Sequence, residues 1–149
     1  MLQIAEYIAV LACGLFTGAA AYVSLVEHPA RSECGVEIAV AEFAPSYRRA
    51  TIMQLTLAAV CLLASICASL AGATLCWLVG GLVLVAIIPF TLIFILPTNK
   101  RLLSSSLDKS SAETAQLLAR WGMLHAVRTV LSALALLVFL WILIFKKSQ

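Results

Sequence analysis

Residues 51–96 read TIMQLTLAAV CLLASICASL AGATLCWLVG GLVLVAIIPF TLIFIL. Two apolar runs, Thr51 to Leu70 and Thr74 to Leu96, flank the short Ala71-Gly72-Ala73 stretch. A helix crosses the hydrocarbon core with about 20 mostly apolar residues, so each run predicts a membrane-spanning helix. The link between them is too short for anything but an antiparallel hairpin. Working outward, Ile4 to Val26 and Gly122 to Phe145 are apolar runs of the same kind, which predicts four spans and an all-α, integral-membrane four-helix bundle in one transmembrane domain, 1–149. Strands of a β-barrel would alternate apolar and polar residues in segments of about ten, and these runs do not. The first run lacks a basic leader and carries Glu6, so it is expected to remain as a span rather than be cleaved as a signal peptide.

Composition agrees. The chain has 149 residues, 63% hydrophobic and 11% charged, with a mean hydropathy of +1.07. Soluble domains carry about 25% charged residues, so this balance excludes a nucleic-acid binder, a disordered chain and a conventional soluble enzyme.

The stretches Glu27 to Ala50 and Pro97 to Trp121 are long and polar, and are expected to be loops on one side of the bilayer. That side holds Arg31, Arg48, Arg49, Lys100, Arg101, Lys109 and Arg120, with Arg128 just inside the fourth span; the other side holds Lys146 and Lys147. Basic residues near span ends mark the cytosolic side, so the long links are expected in the cytosol and both termini outside it or in a lumen. Pro89 is expected to kink the third span and Pro97 to end it. Ser110-Ser111-Ala112-Glu113 has capping-box spacing and predicts a helix that runs through Trp121 into the membrane without a break. The five cysteines, Cys13, Cys34, Cys61, Cys67 and Cys76, form no C-x-x-C pair. Four of them lie in apolar runs, where Cys is a small buried hydrophobe.

The two histidines and the sole asparagine are placed informatively. His28 lies at the end of span one, Asn99 just past span three and His125 in the first turns of span four, all on one membrane face. Trp121, His125 and Arg128 share a helical stripe, and Arg128 lies deepest. An Arg at the bilayer centre costs about 2.5–3.5 kcal/mol on the insertion scale and faces a bundle interior or wet cavity. A polar pocket lined from all four helices at the cytosolic mouth follows. Against this stands ordinary anchoring at lipid headgroups, the common use of residues such as Tyr47, Arg48, Arg49, Lys100 and Arg101.

These residues carry a resemblance. The first-span exit Glu27-His28-Pro29-Ala30-Arg31, the stretch Pro97-Thr98-Asn99-Lys100-Arg101-Leu102, and Trp121-Gly122-Met123-Leu124-His125-Ala126-Val127-Arg128-Thr129 occur in order at span ends. In this the chain resembles the DUF1772 membrane proteins, which include the anthrone oxygenases. The last stretch is similar to the family's Trp-x3-[Asn/His]-x2-Arg-Thr signature. The resemblance implies oxygenation of a planar, apolar anthrone-like substrate by O2 with no metal or organic cofactor. A C–H flanked by two aromatic rings and opposite a carbonyl is acidic, and its carbanion can pass an electron to O2. The protein then needs a base, for which His125 and His28 are the candidates, and donors for the developing oxyanion, for which Arg128 and Asn99 are suited. Trp121, Arg31, Tyr47 and Arg48 are the candidate substrate-binding residues, with Trp121 stacking on the flat ring.

Two other readings compete. His28, His125 and Glu27 as ligands would make a metal-dependent oxidoreductase, although no H-x-x-x-H or E-x-x-H spacing supports it. Alternatively the basic rim binds anionic lipid or a partner membrane protein without catalysis, with Gly14 and Gly18 available for close helix contact. Homo-oligomerisation stays open, and a transporter is disfavoured because no inverted pair of broken helices is present.

Overall fold

A computed structural model describes residues 1–145, and Lys146 and Lys147 lie outside them. Four helices run antiparallel: α1 (Leu2–Glu33), α2 (Val36–Leu70), α3 (Cys76–Leu102) and α4 (Ala112–Phe145). Among the described residues there is no strand. Each helix packs on two neighbours in the order α1, α2, α3, α4 and back to α1, with little contact across the diagonals. All four are long and apolar enough to cross a membrane. Leu15, Leu25, Ile52, Leu63, Leu92 and Leu134 are exposed on the outside, the apolar belt that lipid covers.

The expected long loops are largely helix. Only Cys34 and Gly35 separate α1 from α2, and residues 103–111 separate α3 from α4. Gly35, at φ 92°, makes the reversal possible in two residues. The stretch before Thr51 is too polar to read as a span. It nevertheless places Val36, Ala39, Val40, Phe43 and Tyr47 at helical spacing. That stripe packs with Ile95, Leu102, Leu117, Leu118 and Trp121 into a second apolar cluster at the mouth, beyond the transmembrane core around Cys13, Phe16, Cys61, Trp77, Leu84 and Phe139. The helices of 27–35 residues therefore reach about 40–52 Å at 1.5 Å per residue, well past a hydrocarbon core of about 30 Å.

Prolines shape α1 and α3. The α-helix of α3 is interrupted at Ala86, one turn before Pro89, as expected. Pro97 does not end it. A widened π-turn at Thr91–Ile95 precedes Pro97, and another at Val23–Glu27 precedes Pro29. A proline crowds the carbonyl four residues back, here Ile93 and Leu25, and both lie inside the widened turns. Each inserted residue rotates the downstream face by about 100°. α4 starts as expected, but the cap is Ser111, whose Oγ accepts from the Thr114 N–H at 3.2 Å. Glu113 is drawn away to an ion pair with Arg101. In the preceding loop, the backbone N–H and hydroxyl of Ser110 donate to Asp108 Oδ1 at 3.0 and 2.8 Å, which holds that carboxyl below the usual carboxylate range.

Two further expectations are corrected. Cys13 and Cys61 are buried, but Cys67 and Cys76 are exposed on the outside of their helices. The Gly14 and Gly18 pair makes no tight contact, with Gly18 facing open space. Close approach is instead at Gly80, where a Cβ would lie 2.7 Å from the Phe139 ring, and at Gly81, where it would lie 2.8 Å from Ser65 Oγ.

Candidate functional site

Between the two apolar clusters the interior is polar. α1 contributes Ser24, His28 and Arg31; α2 contributes Tyr47, Thr51 and Gln54; α3 contributes Asn99; α4 contributes Trp121, His125, Arg128 and Thr129. A cavity of about 30 Å³ is lined by Arg31, Tyr47, Gln54, Asn99, Trp121, His125 and Arg128 among others. A water needs only about 10–15 Å³ of such cavity space, so this chamber admits water-sized molecules.

His125 is 4% exposed and fixed on both sides. Its ring stacks on Trp121 with centroids 4.8 Å apart, and its Nδ1 lies 2.9 Å from Ser24 Oγ. Ser24 Oγ is 2.8 Å from Thr129 Oγ1, which lies 3.1 Å from both the Ala20 and the His125 carbonyl oxygens. Two carbonyls compete for the one Thr129 proton, so Thr129 donates to one of them. Ser24 then donates to Thr129, and the His125 Nδ1–H donates to Ser24. This assignment from the network leaves Nε2 with its lone pair, and among the described residues Nε2 makes no hydrogen bond.

The two buried-end arginines differ. Arg31, 6% exposed, donates to Glu27 and to Ser46 Oγ at 3.3 Å, and its Nε lies 2.9 Å from Glu42 Oε2 in an ion pair without hydrogen-bond alignment. Ser46 in turn donates to Glu27 Oε1 at 2.6 Å. Arg31 is thus neutralised twice over. Arg128 donates to Gln54 Oε1 and lies 5.2 Å above the Phe16 ring, and among the described residues no carboxylate pairs with it. Around the cavity, Gln54 Nε2, Asn99 Oδ1, Trp121 Nε1 and Arg128 Nε are buried without hydrogen-bond partners. Unpaired buried polar atoms cost about 1–3 kcal/mol each, a cost that water or another small molecule in the chamber would offset.

Most of the residues singled out in the sequence gather here. His28 is nearby but not in the cavity wall: its ring packs on Trp121 at 5.2 Å and directly over Gly122, where a Cβ would lie 2.7 Å from His28 Cδ2. Arg48 is a correction. It is exposed and lines no cavity, because it follows Tyr47 by one residue and so points about 100° away from it. Trp121 has no open face for a flat ring, since His125, His28 and Phe43 surround it. The ligands of the metal reading are not gathered either. Glu27 is engaged by Arg31 and Ser46, and among the described residues no three His, Cys, Asp or Glu side chains form a group that could hold a metal ion. Sequence reasoning missed Gln54 and Ser24, and quoted Thr129 only as the end of the Trp-x3-[Asn/His]-x2-Arg-Thr stretch without giving it a role. A glutamine inside an apolar run was the available signal for the first, while Ser is too common in spans to stand out.

The sequence profile of a family described as anthrone oxygenase matches residues 43–138, more than half of the chain. That segment contains Tyr47, Gln54, Asn99, Trp121, His125 and Arg128, while Ser24, His28 and Arg31 precede it. No curated protein and no solved structure shows significant similarity to the chain.

Proposed function

Because the chain belongs to the anthrone oxygenase family, we propose that it is a membrane oxygenase that converts a planar, apolar, anthrone-like molecule to the corresponding quinone with O2, using no metal or organic cofactor. The observation that carries this reading is Arg128, a half-buried cation with no acidic partner among the described residues, beside a histidine whose Nε2 is available. His125 Nε2 takes a proton from the activated ring CH2, and the electron pair spreads onto the opposite carbonyl oxygen. Arg128 stabilises that oxyanion, as fixed donors do where charge develops, with Asn99 as a further polar contact. The carbanion gives one electron to O2 and the resulting radicals combine to form the C–O bond. Cleavage of the O–O bond, with loss of the second C–H proton, leaves C=O and one water, so that CH2 plus O2 becomes C=O plus H2O. The concentration of Lys and Arg at the site's end supports a cytosolic mouth.

The test uses the purified protein in lipid nanodiscs with anthrone under air. Anthraquinone should form faster than in protein-free nanodiscs, and His125→Ala should abolish the gain. No gain for the wild type overturns the oxygenase reading, and stoichiometric metal in elemental analysis overturns its cofactor-free form. A non-enzymatic reading draws on the exposure of Arg48, Arg49, Lys100 and Arg101 at one end. It predicts no gain with anthrone, together with binding to anionic-lipid vesicles that is lost in Arg48→Ala/Arg49→Ala.

A further inference from the structure

A second cavity, of about 110 Å³, lies beside the polar chamber and shares Tyr47, Thr51, Gln54 and Arg128 with it as a common wall. Its character is the opposite. Phe16, Ala58, Leu84 and Ile87 form a buried apolar floor, while Leu55 and Leu92 at its rim are exposed to the lipid side. The opening lies between α2 and α3. These helices approach closely at Gly81 and Ser65. Further along, α3 is bent by the interruption at Ala86 and the π-turn at Thr91–Ile95, and the cavity fills the space that results. Two polar residues line this otherwise apolar slot: Gln54, 2% exposed, whose Nε2 is buried without a hydrogen-bond partner, and Arg128, whose Nε is likewise unpaired.

An apolar cavity of about 150 Å³ holds a benzene molecule and stays dry without it. A slot of 110 Å³ open at a lipid-facing rim therefore seats one ring deeply, with fused rings projecting to the rim. The polar wall formed by Gln54 and Arg128 favours a ring that bears an oxygen acceptor.

We infer that the slot between α2 and α3 is the binding site for an aromatic carbonyl or phenolate compound, which enters sideways from the bilayer and lies against the wall of Tyr47, Thr51, Gln54 and Arg128 that the slot shares with the polar chamber. The choice of ligand rests on the oxygenase reading; the slot and its lateral entry do not. Lateral entry suits such a ligand, because a flat apolar molecule is concentrated in the bilayer and scarce in water.

The experiment is photolabelling of the full chain in nanodiscs with 2-azidoanthraquinone, mapped by mass spectrometry, with unlabelled anthraquinone as competitor and thermal unfolding as the check on folding. Labels are expected on the 55–58 and 88–92 segments and should be competed away. Leu55→Trp, which plugs the slot from its exposed rim, should lower labelling about tenfold, the effect of overfilling a site by one or two kcal/mol. Ala58→Phe, which fills the floor, should do the same. Labelling confined to the mouth around residues 103–111, or unchanged in a folded Leu55→Trp protein, overturns the inference. Competed slot labelling in a protein that does not oxidise anthrone upholds the slot and removes the oxygenase reading. Undiminished anthrone turnover in both plugged variants removes the slot and leaves that reading standing.

Discussion

The sharpest consequence of the structure concerns Gln54, the sole polar partner of Arg128 among the described residues, and it separates stability from chemistry. In Gln54→Leu the side chain keeps its approximate volume but loses the acceptor for Arg128 Nη2. A hydrogen bond to a charged group contributes about 1.5–3 kcal/mol; Arg128 is only half-buried and borders a chamber that can admit water, so the low end, about 1.5 kcal/mol, applies. At about 2–4 °C per kcal/mol for chains of this size, thermal unfolding should fall by about 3–6 °C. Gln54→Glu has the opposite signature. A carboxylate there gives Arg128 a counter-ion, and attraction of about 4 kcal/mol at 4 Å for an effective dielectric constant of 20 roughly offsets the desolvation of the pair, so the unfolding temperature should hold or rise. The same substitution neutralises Arg128, the cation that the proposed reaction assigns to the oxyanion. Losing one such donor costs about 10²-fold or more in rate, and anthraquinone formation should fall accordingly. The assay is a paired one, thermal unfolding and anthrone turnover on the same nanodisc preparation. A Gln54→Glu protein that turns over at the wild-type rate would refute the assignment of Arg128 as the anion's partner, and a Gln54→Leu protein of unchanged stability would refute the pairing itself.

Three further outcomes are expected. Gly122→Ala drives a methyl into the His28 ring; overpacking of about 1–3 kcal/mol, less about 1 kcal/mol of improved helix propensity, should leave the protein about 1 kcal/mol less stable, with altered Trp fluorescence as His28 moves off Trp121, and unchanged stability and fluorescence would contradict the contact. Ser24→Ala removes the acceptor of the His125 Nδ1–H, so nitrogen NMR of labelled histidine should show the Nδ1–H tautomer in the wild type and a mixture in the variant; a wild-type Nε2–H tautomer would reverse the assigned proton direction. Asp108, whose carboxyl is held below its ordinary value of 3.8 by Ser110, stabilises the loop before α4 fully above that value and loses its contribution as pH falls through the lower folded-state value. Acid unfolding curves of the wild type and Ser110→Ala should accordingly converge at the lowest pH and separate above it, and superimposed curves throughout would exclude that role.

The four spans were legible because hydropathy is a local sum along the chain, and partition between lipid and water obeys that sum. The chain itself also showed the gathering of His28, Asn99, His125 and Arg128 at one end, since depth follows from distance to a span edge. The mouth of the bundle was less legible. Residues 36–50 are too polar for a span, and their helical stripe gains its partners, Ile95 and Trp121, only from distant segments.

What tertiary structure alone decided is rotation and register. The widened turns before Pro29 and Pro97 each shift the downstream face by about 100°, and no periodicity counted at 3.6 residues per turn records that. Residues 36–50 read as a loop, so the sequence could set Arg48 beside Tyr47 as a site residue, when one step around the helix carries it outward, and no local pattern could set Gln54 beside Arg128 or Ser24 beside His125. The sequence by itself determined which residues lie at the depth of the site. Packing of four helices around two apolar clusters determined which of them face one another, because that choice depends on contacts between segments more than a hundred residues apart.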